Sequence, residues 1–110
     1  MRQLAVEELG PLCAEQASQV TLLDVREPWE VATAALTVAG VPTVRIPMHE
    51  IPQRLGELDP ARLIVCLCHH GVRSLQVVAF LSRRGFANVY NLAGGIDAWS
   101  LKVAPQVPRY

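Results

Sequence analysis

A chain of 110 residues, 51% of them apolar and with ten basic side chains balanced by ten acidic ones, suffices for one core but not for two. Zero net charge without a basic run speaks against nucleic acid or an anionic membrane surface as partner, and no stretch approaches the roughly 20 apolar residues of a membrane span. The odd count of three cysteines builds no disulfide framework, so one domain over 1–110 in the reducing cytoplasm is expected, with its core over about 4–99 and a tail over 100–110.

Residues 4–17 place Val6, Leu9, Leu12 and Cys13 at helical spacing, and Gly10-Pro11 is expected to weaken or split that helix. Residues 21–25 read as a short buried strand. Arg26 and Glu27 follow it, and Pro28 fits a first helical position, opening a short helix around Trp29. Residues 32–42 show no clear period and read as loop. A strand is expected at 43–46, a short helix at 50–58 begun near Pro52, and the central strand at 63–67. The helical pattern of 74–84 stops at Gly85, residues 88–92 are strand-like, and Ala93-Gly94-Gly95 turns into a short helix at 96–99. The tail from Lys102, with Pro105 and Pro108, is expected to be extended and poorly ordered at its end. Strands alternating with helices mean an α/β fold, a doubly wound parallel sheet flanked by helices.

Ligands bind such sheets beyond the carboxyl ends of the strands. There, residues 24–26, 68–73 and 92–95 should crowd together. The segment Leu63-Ile-Val-Cys-Leu-Cys68-His-His-Gly-Val-Arg73-Ser74 is the most informative of these. An apolar strand ends at Cys68 and a helix begins almost at once, so the linking residues must curl their N–H groups around the sulfur. The first N–H groups of a helix lack partners and carry partial positive charge. A sulfur among them is pushed toward thiolate, the attacking form. Gly71 is expected to supply a positive φ to so tight a curl, and Ser74 or a loop residue to cap the helix.

Other readings of the same residues are plainer. Cys66 lies inside the strand and Cys13 on the first helix, where cysteine behaves as a small hydrophobe. Cys66, Cys68, His69 and His70 lack the paired, separated spacing of a zinc site, so no metal is expected. His69 and His70 are expected to line the pocket mouth, where imidazoles titrating near neutrality favour an anionic donor. Arg73 is expected either to contact such an anion or to pair with Asp24 or another acid, and Arg26 to pair with Glu30 at helical spacing. Trp29, Tyr90 and Trp99 read as core or cleft wall.

Three stretches, Asp24-Val-Arg-Glu-Pro-Trp-Glu30, Cys68-His-His-Gly-Val-Arg-Ser74 and Gly85-Phe-Ala-Asn-Val-Tyr-Asn-Leu-Ala-Gly-Gly-Ile-Asp-Ala-Trp99, resemble the landmarks of the rhodanese family in order and spacing. The resemblance runs from about Leu4 to Trp99. It implies a single-domain, cofactor-free sulfurtransferase in which Cys68 carries sulfur as a persulfide, with His69, His70, Gly71, Val72 and Arg73 forming the substrate loop. The partners it implies are a small sulfane-sulfur donor such as thiosulfate or a persulfide, and a thiol, cyanide or protein acceptor. Related cysteine phosphatases and arsenate reductases hold five residues between the corresponding Cys and Arg, whereas four lie between Cys68 and Arg73. The smaller ring favours sulfur over a tetrahedral oxyanion. A non-catalytic rhodanese-like binding module is the third reading, and the presence of Cys68 argues against it. Two departures stand out. Residues 34–41 occupy the place of a Gly-His-Ile-x-Gly-Ala motif, and His69 stands where many thiosulfate users have Arg or Lys. The second departure weakens the case for doubly charged thiosulfate and brings persulfide or polysulfide donors forward.

Overall fold

The computed structural model describes residues 2–110. Five parallel strands form one sheet: β1 (Gln3–Leu4), β2 (Val20–Asp24), β3 (Thr43–Arg45), β4 (Leu63–Leu67) and β5 (Val89–Leu92). Their spatial order is β1-β5-β4-β2-β3, so the longest strands, β4 and β2, lie side by side in the interior. Four helices cover it: α1 (Val6–Gln16), α2 (Pro28–Thr33), α3 (Val72–Arg83) and α4 (Gly95–Lys102). All five residues of β2 and of β4 are buried, as expected for parallel strands covered on both faces.

Side-chain alternation along β4 divides the core in two. Leu63, Val65 and Leu67 pack with Leu9, Cys13, Leu22, Ile96 and Trp99 beneath α1 and α4. Ile64, Cys66 and then Cys68 face Leu23, Ile51, Val77, Val78 and Leu81 beneath α3. Cys66 and Cys68 thus point to the same face.

Several local expectations differ from the structure. Leu4 belongs to an edge strand, with Gln3 opposite Asn91 and Leu4 opposite Leu92, and the helix begins only at Val6. That helix is not split. Pro11 sits inside it on the exposed side, and burial of Val6, Leu9 and Cys13 outweighs the single backbone bond that proline removes. Residues 50–58 form no α-helix but two 3₁₀ turns, Met48–Glu50 and Leu55–Glu57. α3 starts two residues earlier than the apolar period suggests, and its N-cap is Gly71, not Ser74. α4 extends to Lys102.

The tail does not trail away. Ala104 is buried, Val107 and Tyr110 pack against the first core cluster, and Ser100 Oγ donates to the Val107 carbonyl. Residues 34–42 are irregular as expected, but Ala34, Leu36 and Val41 are buried. The rebuilt connection is therefore held by packing.

Candidate active site

β4 ends at Leu67, and Cys68 begins the turn into α3 with its side chain still on the α3 face. Three donors meet its sulfur: Gly71 N at 3.1 Å, Ser74 N at 3.3 Å and Ser74 Oγ at 3.3 Å. Ser74 N is the third amide of α3, the one that a capping side chain ordinarily satisfies. Here the cysteine sulfur takes that place, the N-cap being Gly71, which has no side chain to offer. Gly71 stands at φ +97°, and a Cβ on it would press on Gly94 N at 3.2 Å. Glycine is required there on both counts.

The turn after β5 holds the outer side of the same loop. Ile96 N donates to the Cys68 carbonyl at 2.9 Å and Asp97 N to the His69 carbonyl at 3.1 Å. These are free amides of the first turn of α4. By binding the two carbonyls they turn the acceptors of the loop away from the sulfur and leave amide donors facing it. The approach is so close that a Cβ at Gly95 would sit 2.5 Å from both carbonyl oxygens.

Ser74 is tied to a second buried group. Its hydroxyl lies 2.5 Å from Asn91 Oδ1, while Asn91 Nδ2 donates to the Gly71 carbonyl at 3.1 Å and to Gln3 Oε1 at 3.0 Å. One hydroxyl hydrogen cannot serve both Asn91 and the sulfur. With a thiol, S–H donates to Oγ and O–H to Asn91. With a negative sulfur, the O–H turns to the sulfur. The pair can follow the charge without moving the backbone. Neither Asn91 nor this use of Ser74 was visible in the sequence pattern.

Of the expected ion pairs, Arg73 does pair with an acid, Glu30, whereas Arg26 does not pair with Glu30. Arg26 binds Asp24 in fork geometry, Nε to Oδ1 at 2.9 Å and Nη2 to Oδ2 at 2.7 Å, with both side chains buried. Its remaining nitrogen donates to the Ala34 carbonyl at 2.8 Å and to Tyr110 Oη at 3.1 Å, so it reaches the backbone of Glu30 and not its carboxylate. That carboxylate belongs to Arg73, bound bidentately at 2.7 and 2.8 Å. Glu30 also accepts Glu27 N at 3.0 Å and the Tyr110 hydroxyl at 2.7 Å. The Arg73 fork holds the Glu30 carboxyl at about 2, against the burial that would raise it. Arg73 is therefore the clamp of the loop, not a free cation in the pocket.

His69 is sandwiched between His70 and Tyr110, with ring centroids 3.9 Å away on each side. Its Nε2 is buried without a partner, and burial, followed by the neighbouring His70, pushes its imidazole below the usual range. His70 is 61% exposed and 3.9 Å from Asp97, and Val72 is 67% exposed. Trp29 is not core: it is 63% exposed and meets the Tyr110 ring edge-on at 6.0 Å. Trp99 is buried, and Tyr90 packs partly buried against the core. Burial pushes the Cys13 and Cys66 thiols upward, and for Cys66 the nearby Cys68 adds to it. Among the described residues no group of three or more His, Cys, Asp or Glu side chains could hold a metal ion.

Comparison with known proteins bears on what such a cradle is for. The pattern of the family described as Rhodanese-like domain matches residues 6–102. A sulfurtransferase of Allochromatium vinosum is 40% identical over 107 residues, covering 97% of this chain and 95% of that protein. A chloroplastic rhodanese-like/PpiC domain-containing protein of Arabidopsis thaliana is 38% identical over 115 residues, of which this chain spans only 38% of the length. The crystal structure of a rhodanese-related protein from Thermoplasma volcanium superimposes with a TM-score of 0.77 at 29% identity, all of both chains being covered. The match over most of the chain, the near full-length likeness to a sulfurtransferase and the shared five-stranded architecture place this chain in the rhodanese-like domain family, as a rhodanese-type sulfurtransferase.

Proposed function

We propose that Cys68 carries sulfane sulfur as a persulfide from a small donor to a thiophilic acceptor, within a pocket formed by His69, His70, Gly71, Val72 and Arg73. The observation that carries this reading is the convergence of Gly71 N, Ser74 N and Ser74 Oγ on one buried sulfur. Donors fixed in advance stabilise negative charge on sulfur at no cost of reorganisation during the reaction.

The steps balance. The Cys68 thiolate attacks the outer sulfur of the donor, an S–S bond forms, and the donor's own S–S bond breaks. Sulfite leaves thiosulfate with the electron pair, or a thiolate leaves a persulfide. A cyanide or thiolate acceptor then attacks the outer sulfur of the cysteine persulfide and departs as thiocyanate or a new persulfide. The Cys68 thiolate is restored. No cofactor enters this cycle. Because Arg73 is committed to Glu30, its charge is not offered to doubly charged thiosulfate, and a small persulfide or polysulfide donor fits better. The three free thiols fit a single domain working in the reducing cytoplasm.

Intact mass after incubation with thiosulfate or glutathione persulfide should show one added sulfur, removable by cyanide. Cys68→Ser should take up none, while Cys66→Ser and Cys13→Ser retain it; full loading of Cys68→Ser would overturn the assignment. The phosphatase or arsenate reductase reading, disfavoured by the four-residue loop, is tested on the same protein. Turnover of an aryl phosphate or arsenate without sulfur loading would replace the persulfide reading.

A further inference from the structure

We propose that Tyr110 is a specificity-determining residue, the roof of the sulfur pocket, which admits small inorganic sulfur compounds and holds back peptide-sized persulfides and thiols. The proposal rests on Cys68 being the sulfur carrier. The ring of Tyr110 spans the loop from end to end. One side lies flat on His69, the residue directly after Cys68, at 3.9 Å and 7°. Its hydroxyl donates to Glu30 Oε2 at 2.7 Å, on the carboxylate that clamps Arg73 at the other end of the loop. Arg26 Nη1 donates to the same hydroxyl at 3.1 Å. Cys68, the residue before the stacked His69, is 1% exposed.

The roof is built to lift. Val107 is fastened to the core and to Ser100, and beyond it exposed Arg109 pairs with half-buried Asp97 at 2.9 Å. The ring of Tyr110 is held by its stack on His69, two hydroxyl bonds, an edge-on contact with Trp29 and packing against the first core cluster, all of them side-chain contacts that one substitution removes. Its closure leaves His69 Nε2 buried and unpartnered, a polar atom that gains water or substrate as soon as the ring moves aside. Burial keeps the Tyr110 hydroxyl protonated up to about 12, so it can donate to Glu30 throughout the neutral range. A linear or diatomic sulfur species needs only a narrow passage between ring and loop. A tripeptide persulfide needs the ring displaced.

Alkylation of Cys68, located by peptide mass, tests the roof without using sulfur transfer. On the native protein, the rate of an N-aryl maleimide relative to iodoacetamide should be at least about tenfold lower than on the urea-unfolded chain. Tyr110→Ala should raise the maleimide rate about tenfold and the iodoacetamide rate far less, and Tyr110→Phe, which keeps the stack but loses both hydroxyl bonds, should fall between. In transfer assays Tyr110→Ala should lower KM for glutathione persulfide with little change in KM for thiosulfate. Equal acceleration of both alkylating reagents, or an unfolded-like reagent ratio on the native protein, would overturn the roof. Failure of the native protein to take up sulfur, with the reagent ratio as expected, would instead overturn the persulfide reading and leave the roof standing.

Discussion

Cys66 and Cys68 stand two residues apart on the same face of the same strand line, yet they occupy opposite chemical worlds. Cys66 lies inside β4, paired to β2 and β5 on either side, where every backbone donor is spent on the sheet. Nothing there can stabilise charge, and burial pushes its thiol upward. Cys68 lies one step past the last ladder pair, where the amides of α3 have no partner but its sulfur. Both side chains are buried to within 1%. The two sulfurs therefore differ in whether the nearby amides are already taken, not in exposure.

The sharpest way to erase this contrast is Gly95→Ala. Its methyl would collide with the Cys68 and His69 carbonyls, forcing the loop off its anchor on α4. Sulfur loading should fall to background, whereas Gly85→Ala, which meets no atom within 4 Å, should load normally despite its positive φ. Intact-mass loading on both variants measures this. Next in size is Glu30→Ala, which strips Arg73 and Tyr110 of their shared acceptor. Because a third of the Arg73 side chain reaches water, the loss should fall below the roughly 3–5 kcal/mol of a fully buried pair, and is read as a lowered urea midpoint. Glu7→Ala on exposed α1 should stay within roughly 0.5 kcal/mol.

Glu30 also sets an acid limit. Its folded value of about 2 lies below the ordinary 4.5, so its contribution is complete above 4.5 and is lost as pH falls through about 2. The difference corresponds to about 3 kcal/mol. Urea unfolding of the parent protein at pH 6 and pH 3 should show the larger part of this loss, since pH 3 still lies above the folded value, and Glu30→Gln should flatten the difference. Ser74→Ala comes next: it removes one of three donors on the sulfur while both amides remain. A hydrogen bond to a charged group is worth about 1.5–3 kcal/mol, so sulfur transfer should drop at least tenfold with little loss of fold. Cys66→Ser should alter the transfer rate hardly at all, and any change should appear in the urea midpoint.

How far this contrast could be seen in the sequence follows from which contacts are local. β4, the turn at Cys68 and the end of α3 at Gly85 are written in neighbouring residues, as an apolar run, a glycine and a helical period. The start of α3 lies earlier than the apolar period suggests because its cap is a sulfur three residues before the N-cap, an arrangement that no capping preference describes. Arg26 and Glu30 sit at helical spacing, but Arg26 precedes α2 and folds back on Asp24, so the spacing carried no pairing. Edge strand β1 has two residues, too few for any period. Tyr110 left no signal, since its partners lie 80 and 84 positions away. Gly94-Gly95 did carry one. Two glycines after a strand mark close backbone approach, here against the cysteine loop.

The bond from Asn91 to Gln3 joins residues 88 positions apart, and it has a kinetic meaning. β1 docks beside β5, so the underside of the sulfur cradle is finished only once residues 3 and 91 have been brought together. Long-range pairing of this kind is slow to form, because the entropy of closing the loop is lost before any contact rewards it. On refolding from urea, helical circular dichroism should recover first and the capacity to take up sulfur in a later phase. Disrupting β1 with Leu4→Pro should lengthen that later phase while leaving the early one unchanged. The cradle would thus remain chemically silent until β1 and β5 have met.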